Sequence, residues 1–370
     1  METKSKNSFT EDMTPAFSFG LPFIFVPLMI IAWIYGGWTI LAVPIFGYVI
    51  ITIFDFLIGT KLIAPKFKPD EDNKKYKIIL FAWPPIQLFL IFGSLVAIFS
   101  FEHLSFIEAI GLMLVQGLIT GAVGIVFAHE LMHQKTRFER FLSDLLMGMA
   151  IYGHFRTEHV LVHHRHVGTE KDAVTARFGE GFYKFFIRIV PECFFSAWET
   201  EKEMLTKKER PFWDFLNPFY IYFGLSILFL ISSFIVGGFL GVLCFFIQAF
   251  IAVLHLEVVN YIEHYGLVRQ KLENGKFEPT KPHHSWNANH HASNLLLINL
   301  QKHSDHHARP NKTYESLQSY DESDAPQLPF GYPLMVLISL IPGLWRKVMD
   351  PKVIEWRKKF YPDLTDWGKT

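Results

Sequence analysis

Six stretches of the chain are apolar for about twenty residues each, and no other feature limits the fold so firmly. They cover about 17–35, 38–58, 78–100, 105–128, 219–236 and 239–261. A helix of roughly 20 apolar residues crosses the hydrocarbon layer of a bilayer. Backbone groups find no water there, so each stretch must satisfy its hydrogen bonds internally, as a helix does. Pro22, Pro27 and Pro44 would break soluble helices but are tolerated in membrane ones. Gly36-Gly37, a short turn at 101–104 and Gly237-Gly238 join the stretches into three helical hairpins. The expected fold is an all-α integral membrane protein of about six transmembrane helices, in one membrane-embedded domain spanning 1–370. Composition agrees: 50% of residues are hydrophobic, with 38 Phe, too apolar for an ordinary soluble protein.

Charge then orients the chain. The three tight turns carry no Lys or Arg, whereas 60–77, 129–217 and 262–370 carry nearly all of them. The positive-inside rule places those segments and both termini in the cytoplasm, with the protein in the cell (inner) membrane. Met1 to Pro15 is polar and of mixed charge, unlike a cleaved secretory signal. The formal net charge is zero, which leaves no footprint for nucleic acid. Cys193 and Cys244 are the only cysteines, so a disulfide framework, a thiolate zinc site and an iron–sulfur cluster are excluded. Phe141 to Gly153 is apolar but too short to span and reads as re-entrant or interfacial. Phe178 to Trp198 reads as an amphipathic helix on the membrane surface. Tyr332 to Trp345, interrupted by Pro333 and Pro342, reads as a second surface-lying segment.

Histidines cluster beside the span ends. His129-Glu-Leu-Met-His133 closes the fourth span. Glu158-His159-Val-Leu-Val-His163-His164 lies in the long loop, Asn260-Tyr-Ile-Glu-His264-Tyr-Gly266 ends the sixth span, and Leu-Gln-Lys-His303-Ser-Asp-His306-His307 follows. Residues i, i+3 and i+4 share a helix face, so each box presents convergent imidazoles. By the same 100° rule His164 turns away from His163, toward a second metal. His-Glu-x-x-His is also the zinc-protease motif, but one zinc needs a single further ligand and leaves the other boxes surplus. Nine imidazoles (His129, His133, His159, His163, His164, His264, His303, His306, His307) exceed one ion and suit two. All-nitrogen ligation with open positions suits iron in oxygen chemistry. Glu130, Glu158, Glu263 and Asp305 adjoin the boxes and are expected to accept the outer imidazole N–H groups. His103 lies on the far side and reads as structural. His255 sits inside a span, where a polar group is costly. His290 and His291, with Asn287 and Asn289, are placed at the entrance.

With these boxes, the chain resembles the integral-membrane non-haem diiron monooxygenases, the alkane 1-monooxygenase and xylene monooxygenase family. The resemblance runs from the first span to about Asp350. It rests on His-Glu-Leu-Met-His at 129–133, Glu-His-x-x-x-His-His at 158–164, Asn-Tyr-Ile-Glu-His-Tyr-Gly at 260–266 and Leu-Gln-Lys-His-Ser-Asp-His-His at 300–307. Pro-His-His-Ser-Trp-Asn at 282–287 and Phe-Gly-Tyr-Pro at 330–333 are similar too. Membrane desaturases share the three boxes but not the 260–266 signature.

The resemblance implies a cytoplasmic diiron centre with O2 as cosubstrate, held by the nine histidines, with no catalytic residue beyond the ligands. It implies an electron donor, rubredoxin or a ferredoxin-type reductase, because the chain has no flavin, haem or iron–sulfur motif. The expected reaction is hydroxylation of a terminal methyl group, an n-alkane giving a primary alcohol. Methyl hydroxylation of an alkyl-aromatic such as xylene is the alternative. A fatty-acyl desaturase would share the metal site. A histidine-rich metal transporter would need ionisable residues along mid-span, where only His255 and Glu257 occur. The apolar substrate calls for a lipid-open channel, expected between the first four spans.

Overall fold

The computed structural model describes residues 14–65, 74–364 and 367. Most of the polar N-terminal segment and the centre of the charged 60–77 loop lie outside these residues. The described chain is helical, with β contacts limited to isolated bridges such as Thr60–His290.

Five helices are long and apolar enough to cross a membrane: α1 (Ala16–Tyr35), α2 (Gly37–Ile58), α3 (Lys74–Ser100), α4 (Phe106–Met132) and Phe219–His264. The last, 46 residues long, is not straight. Gly237 and Gly238 leave helical geometry, with Gly238 at φ 60°. A straight helix would carry residue 245 about 24 Å from residue 229. Instead, the Phe229 and Phe245 rings lie 6.3 Å apart. The element is therefore a hairpin, and its two arms are the fifth and sixth apolar stretches. Glycine is required at the bend because its positive φ excludes most side chains. We number the whole element α8, since α5 to α7 precede it.

Close packing fixes the order of the bundle. A Cβ at Gly117 would come within 2.7 Å of the Gln248 carbonyl, and one at Gly121 within 2.6 Å of the His255 Cβ. Small residues thus let α4 and the second arm of α8 approach backbone to backbone. Thr120 Oγ1 lies between Gln87 Nε2 (2.8 Å) and Gln248 Oε1 (3.0 Å), tying α3, α4 and α8 together. Such bonds contribute about 0.6 kcal/mol each in membranes, so they set register more than overall stability.

Between α4 and α8 the chain forms α5 (Arg137–Met149), the composite helix α6 (155–166) and α7 (Phe182–Thr206). The apolar run at 141–153 lies on α5 as far as Met149. That helix starts at Arg137 because Thr136 and Glu139 form a capping box. Its 13 residues cannot span, as expected, and it packs on the bundle, for Gly148 abuts Leu225 and Phe229 of α8. α7 is amphipathic as expected: Phe182, Phe185, Ile189, Cys193 and Ala197 are buried, while Lys184, Glu192 and Glu199 are exposed.

After α8 come α9 (His291–Leu296), α10 (His303–Ala308), α11 (Tyr332–Ser339) and α12 (Pro342–Phe360). The surface reading of 332–345 is corrected for 332–338 only, since Ile341 and Leu344 are exposed. Tyr332, Pro333, Met335, Val336 and Ile338 are buried, because α11 folds inward and walls a cavity within the bundle.

Candidate metal centre

Two of the four elements that carry the boxes contain a π turn. In α4 it occupies Thr120–Gly124, just before the helix Ile125–Met132 that presents His129. In α6 it spans Glu158–His163 itself. A π turn has i→i+5 bonding and so brings residues five apart onto one face. This corrects the pairing within the box: His159 meets His164 rather than His163, while His163 and His164 face different groups as expected. The His164 Nε2 lies 3.1 Å from that of His159 and 3.1 Å from that of His306.

The nine imidazoles converge from four elements. His129, His133, His159 and His306 form one group, with possible ligand atoms all within 4.8 Å of one another; His163, His264, His303 and His307 form a second, wholly buried one. Nε2 atoms face each other at 3.1 Å (His133–His159), 3.1 Å (His264–His303), 2.9 Å (His303–His307) and 3.2 Å (His163–His307). His164 lies beside the first group. Its ring also stands 4.6 Å from that of His307.

Such a cluster must be uncharged when nothing is bound. Burial, followed by repulsion from neighbouring imidazoles, holds His159, His164, His303, His306 and His307 well below the usual histidine range, and burial takes His133 to about 3. Hydrogen bonding does not account for the arrangement. His129 Nε2 is buried and unpartnered, as are the Nδ1 atoms of His159, His164, His264, His303 and His307. The Nε2 spacing is instead what cations impose: with bonds of about 2.1 Å, neighbouring nitrogens around a five- or six-coordinate ion lie roughly 3 Å apart. The donor set therefore fits two transition-metal ions.

The four carboxylates divide. Glu263 alone reaches the centre, its Oε2 3.3 Å from His303 Nε2 while Oε1 accepts from the Tyr332 hydroxyl. That contact is to the inward nitrogen, not the outer one expected. Glu130, Glu158 and Asp305 do not contact imidazole nitrogens, because a residue next to a ligand on a helix points about 100° away. Glu130 accepts from Gln134 and the Tyr314 N–H, so it ties α4 to the loop beyond α10. Asp305 gathers Lys312, the Gln318 N–H and Tyr320, pinning that loop. Both Glu158 oxygens are buried without partners; burial, with Asp172 and Glu257 nearby, pushes its carboxyl well up.

Asp172 fills the role expected of those residues. Its Oδ2 lies 3.1 Å from His163 Nδ1 and accepts from Thr175 Oγ1, while Oδ1 accepts from the Val174 N–H. Such a carboxylate fixes the ring and directs Nε2 inward. Sequence reasoning missed it because the link depends on a tight turn at 169–175, which has no periodic signature. His103 is structural, as expected: its Nε2 contacts the Trp33 carbonyl at 3.1 Å. Asn287 does not line an entrance but holds α10 through the Ser304 N–H (2.9 Å), and His290 bridges to Thr60.

A third group, Glu278, His283 and His284, also has ligand-like spacing. Its atoms are already used. His284 Nδ1 accepts from the Lys281 N–H, so its Nε2 carries the proton, which faces the Tyr361 hydroxyl at 2.7 Å. Tyr361 in turn donates to Glu278, whose other oxygen holds Lys281 Nζ at 2.7 Å.

Next to the nine histidines lies an apolar cavity walled by several helices. α1, α2 and α4 line it, as expected of the first spans, but α3 does not. Its remaining wall is His255 and Val259 of α8, Leu296 to Leu300 and α11. Val126, Val259 and Leu300 are shared with a second hollow floored by His129, His159, Glu263 and His303.

A helical membrane protein with paired all-histidine clusters that could hold metal ions beside an apolar cavity is the class these observations define. The chain matches the fatty acid desaturase family over residues 104–339. It is 39% identical to alkane 1-monooxygenase 1 of Pseudomonas aeruginosa, covering 85% of this chain and 82% of that one. It is 36% identical to alkane 1-monooxygenase 1 of Alcanivorax borkumensis, with 86% and 80% covered. The hydroxylase component of xylene/toluene monooxygenase from Pseudomonas putida is 29% identical over 69% of this chain and 67% of that protein. The chain thus belongs to the alkane 1-monooxygenases within the membrane-bound fatty acid desaturase family.

Proposed function

We propose that this protein hydroxylates the terminal methyl group of an n-alkane, using O2 and two irons held by the nine histidines. One observation carries the reading: the Nε2 atoms converge beside an apolar cavity that shares three wall residues with the hollow next to them. His129, His133, His159, His164 and His306 are assigned to one ion, and His163, His264, His303 and His307 to the other. When bound, the irons supply O2 activation and attack on an unactivated C–H bond. The chain's own part is placement and exclusion. Val126, Val259 and Leu300 keep water from the reacting carbon and steer a methyl group toward the histidine floor. Asp172 holds His163 in one tautomer. Glu263, flanked by Tyr332, is placed to hold a proton at the rim of the centre.

Electrons come from an external donor, for which we propose rubredoxin or a ferredoxin-type reductase. The charge pattern supports an inner-membrane location with the histidine face and both termini cytoplasmic. The test is product analysis in membranes with donor and reductase, under 18O2, with octane, hexadecane and p-xylene as substrates. A primary alcohol carrying one labelled oxygen is expected from an alkane. Preferential labelling of p-xylene would move the reading to alkyl-aromatics. An unlabelled alkene product would replace hydroxylation with desaturation.

A further inference from the structure

α7 carries none of the nine histidines, yet one of its side chains is tied to them by an unbroken run of hydrogen bonds. Arg188 lies in the first half of α7, its side chain only 14% exposed. Nε and Nη2 donate to Glu180 Oε1 and Oε2 at 3.0 and 2.9 Å, a two-pronged ion pair. Nη1 donates to the Ala173 carbonyl at 2.8 Å, and Nη2 reaches the Thr175 carbonyl at 3.4 Å. A planar fork can serve a carboxylate and two carbonyls at once, whereas an ammonium group is a single point.

The fork holds the segment 172–180, which consists of turns and has no helix or strand of its own. Its backbone therefore takes its shape from outside contacts. At its start, Asp172 faces His163 Nδ1, and Thr175 Oγ1 donates to Asp172 Oδ2 at 2.7 Å. Its later part brackets His264. The Gly266 N–H donates to the Ala176 carbonyl at 2.8 Å, and the Tyr261 hydroxyl donates to the Glu180 carbonyl at 2.6 Å. His163 and His264 belong to the same buried group, their rings 4.6 Å apart. An ion between them needs both imidazoles aimed at one point, within about 0.5 Å. Among the described residues, no hydrogen bond joins this segment to His129, His133, His159 or His306.

We propose that Arg188 is a positioning residue for the buried metal site: its fork fixes 172–180 and, through that segment, sets the aim of both His163 and His264. The inference rests on the two-metal reading. It places control over one ion, and not the other, on a helix that supplies no ligand.

Cobalt(II) is the probe, because its visible spectrum reports coordination geometry without turnover. The full chain would be titrated with cobalt against a chelator. The natural protein should take up two ions. Arg188→Ala should weaken one of them about tenfold and leave the other within about twofold, and the bands of the weakened site should change as they do in Asp172→Asn. Arg188→Lys keeps the charge but not the fork, and it decides the matter if the alanine variant does not fold. It should weaken the same ion about threefold. Combined with Asp172→Asn, either change should cost well short of the product of the single losses, because both act through one segment. Losses that multiply would overturn the proposal. So would equal weakening of both ions, which is a general loosening of the fold, or natural affinity in Arg188→Lys. A natural protein that fails to hold two ions would overturn the two-metal reading and this proposal with it. Two ions held equally tightly in every Arg188 variant would overturn the proposal alone.

Discussion

Two clusters of histidines sit in this protein, and they are built in opposite ways. Around Tyr361 each imidazole has a protein partner, and Lys281 and the tyrosine hydroxyl occupy the Glu278 carboxylate. Around His303 the inward nitrogens face one another, with Glu263 alone reaching one of them, and several outer nitrogens face nothing. The spacing of ligand atoms is similar in both. The difference lies in whether lone pairs are already taken. A closed hydrogen-bond network holds a fold together, whereas an open one needs cations to satisfy it.

Breaking the open cluster should have the largest effect. His303→Ala or His163→Ala removes a ligand from the buried group. Turnover should drop at least about 100-fold, together with iron per chain measured by elemental analysis. Full iron content in either variant would remove that residue from the ligand set. Asp172→Asn leaves all nine ligands in place but releases the outer nitrogen of His163; iron affinity should weaken by roughly 10- to 100-fold in a chelator competition.

A pH series on metal-free protein sharpens the contrast further. The folded imidazoles of His159, His164, His303, His306 and His307 lie well below their unfolded value of about 6.5. Below that pH the unfolded chain binds more protons, so stability is complete above about 6.5 and falls as pH drops. Each such group costs on the order of 1.4 kcal/mol per pH unit, and several together make a steep decline between pH 6.5 and 5 in thermal melts. A flat melting profile over that range would mean that the cluster opens to water without metal. The smallest effect belongs to the closed cluster. Tyr361→Phe should cost about 1–3 kcal/mol of stability, from the hydrogen bonds left unmade, with iron content unchanged.

Much of this was legible beforehand, for identifiable reasons. The hairpin bend at Gly237-Gly238 and the helical boxes at 129–133 and 303–307 follow from composition and a 3.6-residue period. What was hidden depends on contacts between distant segments. Asp172 meets His163 through a turn with no pattern. α11 looked like a surface segment because its wall-forming role appears only once α2 and α4 stand opposite it. The meeting of His159 with His164 rather than His163 was hidden because a π turn has no simple sequence mark.

That π turn has one more consequence. A helix keeps angular time along the chain, each residue advancing the clock by the same step. Between Glu158 and His163 the clock is slowed. His164, which in an ordinary helix would fall out of step with His159, therefore strikes with it, and His163 strikes apart, with the second group. The timing depends on residue number more than on residue identity: Val160, Leu161 and Val162 could be exchanged for other side chains, but removing any one would break the step that brings His164 back to His159. This segment should thus tolerate changes in spelling and reject changes in length.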